Sequence, residues 1–343
     1  MPSAPPMSTR VVGLDAVRGV AIVAMVIAHV VPFARDALPH TALGVAGQIS
    51  DLASPLFGLV MGVSAGLVWL RPENQSPGGG LRRAVSDSAR AGVVFALGMA
   101  LSAVGSWIAI VLQVLGVLMV LGLLFVRLAT PVLSSAVVVA FVTMPALTGW
   151  VAPEAVREPN GHGSVVEQLV QSLSHGQSYR ALSLLPFFAL GVLLARLGLA
   201  RAALAERLAM AGLIGTGLWL LLEAVGVQTR LSGDWPDQLH DLALVLTAYG
   251  LVMMYAGYRG STPGLRALAA LGVLSLSVYV GHVPLIKAAA DQPDLWSSDA
   301  TGLLMAAAIL AAVVGTALAW ERLLGQGPIE RAVALVTGRR LRR

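Results

Sequence analysis

Asp15, Arg18 and His29 stand inside an otherwise apolar stretch, RVVGLDAVRGVAIVAMVIAHVVPF, that runs from Arg10 to Phe33. At 100° per residue the three fall within about 60° of helix circumference, so a helix here presents one polar seam. Arg18 and His29 are eleven residues apart, about 16 Å along that axis, and the seam reaches from one end of the span into its opposite half. Ionisable groups inside a span must face protein or a water-filled cavity, and they mark function more often than structure. Asp15 and Arg18, at i and i+3, can form a structural ion pair at the membrane border. His29 lies deeper, where an imidazole offers a base or an acid for proton transfer near neutral pH.

Two further groups extend this chemistry. His40 follows Pro39 in what reads as the first external loop, and Asp51 opens the next apolar run, DLASPLFGLVMGVSAG. A carboxylate beside a histidine orients the ring and stabilises its cation, which is what a general base needs; an Asp at a helix start equally serves as a cap. A later run, LGVLSLSVYVGHVPLIK, brings Ser275, Tyr279, His282 and Lys287 into one span, with Lys287 near enough to the outer end to snorkel. In SGDWPDQLHD, Trp235, Asp234, Asp237, His240 and Asp241 can stack on and hydrogen-bond a sugar, or cap a helix and anchor it at the interface.

The elements that must carry these residues follow from composition. Hydrophobic residues make up 57% and charged residues 12% of the 343, and the apolar residues come in long runs. That pattern predicts an all-α polytopic membrane protein. Runs bounded by charge, Gly or Pro predict a bundle of about ten transmembrane helices, near 11–33, 51–70, 88–105, 107–126, 131–151, 181–196, 208–226, 239–258, 267–289 and 302–322. The stretch from Ala91 to Phe125 is too long for one crossing and divides at Gly105 and Ser106. No loop is long enough for a soluble domain, so one domain is expected, with its core at 11–322 and a basic tail at 323–343. MPSAPPMST lacks the charged start of a signal peptide and a full span follows it, so the first span is expected to stay. No repeat, low-complexity tract or amphipathic surface helix stands out.

Lys287 is the only lysine, and the basic charge is arginine's. Arg10, Arg71, Arg82, Arg83, Arg90, Arg127, Arg196, Arg201, Arg207, Arg259, Arg266, Arg322, Arg331, Arg339, Arg340, Arg342 and Arg343 fall at one side of the predicted bundle. Only Arg35, Arg157, Arg180 and Arg230 fall at the other. The asymmetry predicts cytoplasmic termini in a multi-pass plasma-membrane protein, with external loops at 34–50, 152–180 and 227–238. Topology accounts for the arginines, so nucleic acid is not an expected partner. The absence of Cys excludes disulfides, thiolate metal sites and a cysteine nucleophile, and no metal site is expected.

The motifs resemble the transmembrane acyltransferase superfamily in three of its branches. LDAVRGVAIVAMVIAH is similar to the first helix of the acyltransferase-3 enzymes, with its LD-x-x-RG opening and a His eleven residues after the Arg. LSLSVYVGHVP resembles their late S-x-x-Y-x-x-H-x-P helix, with Tyr279 and His282. His40 followed by DLASPLFGLVMGVS is similar to the heparan-alpha-glucosaminide N-acetyltransferases, although their W-N-G after the loop His is missing. LPFFALGVLLAR and GQGPIERAV resemble the YeiB-like proteins.

The resemblance implies O- or N-acyl transfer from cytosolic acyl-CoA, acetyl-CoA first among candidates, to a glycan or lipid-linked acceptor of the cell envelope. It makes His40 with Asp51 the base and its orienting carboxylate in the heparan-type pattern, and His29 the catalytic residue in the acyltransferase-3 pattern. The heparan-type order favours His40, leaving His29 to line the thioester tunnel. CoA carries phosphates, so Asp15 and Arg18 on the seam and Arg82, Arg83 and Arg90 on the loop beneath are expected at its mouth, though positive-inside topology explains that loop as well. Membrane lipids are expected partners, and oligomerisation stays open. The rival reading is a proton-coupled transporter or channel using the same polar seam, but inverted repeats and matched broken helices, its usual signs, are absent.

Overall fold

The computed structural model describes residues 12–76, 78–151, 164–176, 178–198, 202–227 and 232–337. Its helices are α1 (Val12–Val30), α2 (His40–Trp69), α3 (Pro72–Gln75), α4 (Gly79–Ser102), α5 (Leu112–Phe125), α6 (Thr130–Val151) and α7 (Val165–Val170). There follow α8 (Ala181–Leu197), α9 (Ala202–Ala224), α10 (Trp235–Arg259), α11 (Pro263–Val273), α12 (Ser275–Ala290), α13 (Asp299–Leu324) and α14 (Pro328–Val336). No strand occurs among the described residues. Among the described residues seven helices, α1, α2, α4, α6, α9, α10 and α13, are long and apolar enough to cross a membrane, and α11 with α12, bent by 74°, give an eighth if the pair counts as one span. α5 and α8 are apolar but shorter, at 14 and 17 residues, against about 20 for a straight crossing. The chain is an all-α polytopic membrane protein, and each of the ten expected runs holds one of these helices or the bent pair.

The helices depart from the apolar runs at their ends. α2 begins at His40 rather than at 51, so His40 is its first residue and not a loop residue, and Asp51 lies well inside it. Hydropathy marks where a helix enters apolar surroundings, whereas Pro39, in extended conformation, marks where its hydrogen bonding starts. The charged first turns of α4 likewise start at Gly79 instead of 88, and α9 and α10 start a turn or more before 208 and 239. Residues 103–111, all but Ser106 expected to be helical, form an irregular strip between α4 and α5. Arg10, Arg157, Arg201, Arg230, Arg339, Arg340, Arg342 and Arg343, used for the charge asymmetry, lie outside the described residues, as does 152–163 of the expected external loop.

α1 sits at the centre, packed against α2, α10, α11, α12 and α13. Backbone-to-backbone approaches at glycines set the bundle, two of them around α1 and α2. A Cβ on Gly19 would fall 1.9 Å from the Leu268 carbonyl oxygen, and one on Gly272 would fall 1.9 Å from that of Asp15, so α1 and α11 meet with no side chain between them. Gly62 and Gly191 bring α2 against α8 in the same manner. α8 buries nearly its whole circumference, whereas α6 and α9 expose Val138, Val139, Leu213, Ile214 and Leu221, as lipid-facing helices do.

The expected single helix at 267–289 is broken at Leu274. Free amides at a break must find partners. Here the Glu330 carboxylate, carried by α14, accepts from the Leu276 amide at 2.8 Å and the Ser277 amide at 3.0 Å, and from the Ser277 hydroxyl. α14 is a short amphipathic helix inside the stretch expected to be a tail, burying Val333 and Ala334.

Candidate active site

His29 ends α1 and His282 lies in the middle of α12, and the packing of these helices brings their rings together. His29 Nδ1 and His282 Nε2 are 3.1 Å apart, with ring centroids at 5.2 Å. His282 Nδ1 is 2.6 Å from the Tyr279 carbonyl oxygen, which can only accept. His282 therefore carries its proton on Nδ1 and presents a lone pair at Nε2, and His29 in turn donates from Nδ1. The lone pair of His29 is left at Nε2. A backbone carbonyl thus fixes two tautomers and leaves one directed base at the end of the chain of hydrogen bonds.

The irregular strip 103–111 covers this pair. Trp107 meets the His29 ring edge-on at 6.1 Å, and the Val111 amide donates to the Tyr279 hydroxyl at 3.0 Å. Non-helical backbone at membrane depth is tolerated where it is buried in protein or lines a cavity, and here it does the second. A space of about 10 Å3, enough for roughly one water, is bounded by His29, Ser50, Ser54, Tyr179 and Tyr279 among others. Larger reactants enter only if its walls part.

At the other end of the seam, Arg18 donates to Asp15 at 3.1 Å and to the Ser64 hydroxyl at 2.8 Å, and Ser64 donates on to the Val60 carbonyl. The Asp15–Arg18 pair expected from the i, i+3 spacing is present within α1, and the Arg18–Ser64 bond ties α1 to α2. Arg83 is held in a bidentate pair with Asp87 at 2.7 and 2.5 Å, Arg82 is exposed, and Arg90 is half-buried on the same helix. Ser275 opens α12 at the break, and Lys287 pairs with Asp291 at 2.9 Å. Beside Asp15 a cavity of about 370 Å3 is lined by Arg266, Arg322 and Glu321. Spacing along one helix could not have singled out these two arginines, because they meet only where α11 packs beside α13.

The structure does not bring His40 to Asp51. Eleven residues along one helix separate them by about 16 Å, and His40 is exposed, with no hydrogen-bond or ion-pair partner among the described residues. Asp51 instead faces His240 of α10, Oδ2 to Nδ1 at 3.8 Å. His240 Nε2 donates to Gln48 at 2.5 Å and its ring stacks on Trp219 at 4.8 Å. Pro55, lacking an amide proton, leaves the Asp51 carbonyl without its helical donor. Of the SGDWPDQLHD group, Asp234 caps α10 by accepting from the Asp237 amide, Asp237 accepts from Gly233, and Asp241 is buried. Capping thus holds for Asp234, while His240 has the partner expected for His40. Arg180, read from sequence as a topological charge, is fully buried and donates to the Ser232 carbonyl. Among the described residues no group of three His, Cys, Asp or Glu is placed to hold a metal.

Residues 111–321, more than half of the chain, match the acyltransferase domain of the acyltransferase-3 family. The matched stretch includes Tyr279 and His282, and α1 and α2 lie before it. No curated protein matches the chain.

Proposed function

Because the chain belongs to the acyltransferase-3 family and is a multi-pass membrane acyltransferase, we propose that His29 is the general base of transfer from acyl-CoA to a hydroxyl or amine of a cell-envelope glycan or lipid-linked acceptor. The carrying observation is the fixed hydrogen-bond order from His29 through His282 to the Tyr279 carbonyl. Nε2 of His29 removes the acceptor proton as its oxygen or nitrogen attacks the thioester carbonyl. The C–S bond then breaks, and the proton passes from the imidazolium to the departing CoA thiolate. Tyr279, whose hydroxyl accepts from Val111, keeps its own proton to donate to the carbonyl oxygen as negative charge develops there.

Acyl-CoA, acetyl-CoA in the simplest case, approaches from the cytoplasm in this reading. Arg18, Arg82, Arg83 and Arg90 stand at or near that end, and Arg266 and Arg322 add an exposed pair at the cavity beside Asp15, suited to phosphate oxygens. The acceptor approaches from the outer side of the plasma membrane in this reading, where the exposed Asp51 faces the buried His240, itself stacked on Trp219. Family membership favours acyl transfer over the transporter reading.

The test is to compare His29→Ala with His40→Ala in release of CoA from acetyl-CoA. Loss of a general base lowers the rate by about 10² to 10⁴, and that is expected for His29→Ala, while His40→Ala stays within about twofold. A dead His40→Ala beside an active His29→Ala would return the base to His40.

A further inference from the structure

The His29–His282 pair borders two spaces. His29 lines the water-sized one, and His282 lines a second cavity of about 370 Å3 between α12 and α13. Its walls include Val278, Leu285, Val313, Ala317 and Trp320. At one end Ser277 is already hydrogen-bonded to Glu330 and to the Ile329 amide, and Pro328 of α14 closes against it. A sugar, nucleotide or headgroup placed here would bury polar groups against hydrocarbon walls, which is unfavourable by several kcal/mol-scale desolvation terms; an alkyl chain meets no such penalty. The volume lies within the roughly 300–1,000 Å3 of small-ligand sites. Ser277 to Leu285 spans about 12 Å of helix, a slot long enough for a chain rather than a methyl group.

We propose that this groove holds the hydrocarbon tail of the donor's acyl group, so that the protein transfers acyl chains longer than acetyl. The inference rests on the acyl-transfer reading. Its argument is adjacency: His282, whose ring is bonded to the base, forms part of the groove wall, so a chain lying there is next to the catalytic pair. A bilayer lipid lodged between the two helices is the rival occupant, and the competition below separates the two. The step is unchanged in balance: the acyl carbon loses the CoA sulfur and gains the acceptor oxygen or nitrogen, and the acceptor proton ends on the thiol.

The experiment uses the full chain in lipid nanodiscs, with palmitoyl-CoA carrying a diazirine at the tail end. Labelling is expected on α12 and α13 peptides, competed by palmitoyl-CoA and not by palmitate. Labelling elsewhere, or equal competition by palmitate, overturns the proposal, the latter by making the groove a lipid-tail site. In parallel, CoA release is read with a thiol reagent, which the Cys-free chain itself does not consume. Ala312→Phe, an exposed position on the groove wall, should lower release from palmitoyl-CoA at least tenfold and from acetyl-CoA less than twofold. Equal effects on both donors, or on neither, sink the idea. If the unaltered protein releases CoA from no donor, the acyl-transfer reading fails, and the labelling still decides whether the groove takes the chain.

Discussion

A neutral imidazole has one N–H and one lone pair, so the direction of a histidine pair is set by whichever ring is pinned first. Here the Tyr279 carbonyl pins His282, and His282 pins His29. His282 is therefore a positioning residue, acting through another. His282→Ala is expected to lower kcat with acetyl-CoA by about ten- to a hundredfold, the range for losing an outer orienting partner, with KM unchanged. A raised KM with kcat intact would make the ring a wall of the substrate site and nothing more. The helical phase of Asp15, Arg18 and His29 was legible in the sequence, and so was the i, i+3 ion pair. The partner of Asp51 was not, since His40 is nearer in sequence while His240, 189 positions on, is nearer in space.

Helix ends are where sequence and structure part at the next scale. A nine-residue helix such as α14 offers less than the window in which hydrophobic periodicity becomes visible, and its function depends on a carboxylate whose partners lie more than fifty residues away. Glu330 satisfies amides at the start of α12 that would otherwise be orphaned by the break at Leu274. Glu330→Ala should lower stability by about 1 kcal/mol, toward the low end of the penalty for unpaired donors because these amides are only half-buried. Thermal unfolding in detergent followed by circular dichroism reads this as a drop in Tm. An unchanged Tm would mean that water or another group caps α12 as well as Glu330 does.

At the scale of the whole molecule, the arginine asymmetry makes a claim about sidedness. Ser164, exposed at the start of α7, belongs to the loop expected outside. A cysteine there would be the only thiol in the chain, so Ser164→Cys should react with a membrane-impermeant maleimide on intact cells. Reaction only after the cytoplasmic face is opened would reverse the orientation and with it the side from which the donor is expected to arrive.

What the sequence by itself determined was the solvent of each segment and the face of each helix. Long apolar runs locate spans because unpaired backbone cannot face lipid, and a 100° step per residue sorts side chains onto faces. What only the tertiary structure decided was which faces meet. Gly19 and Gly272 let α1 and α11 touch backbone to backbone, and α12 leaves the break at an angle that carries His282 to His29 from 253 residues away. No local periodicity encodes that meeting. Pairing across the bundle depends on close packing of small residues and on the capping of one broken helix, both of which exist only once distant segments are in contact.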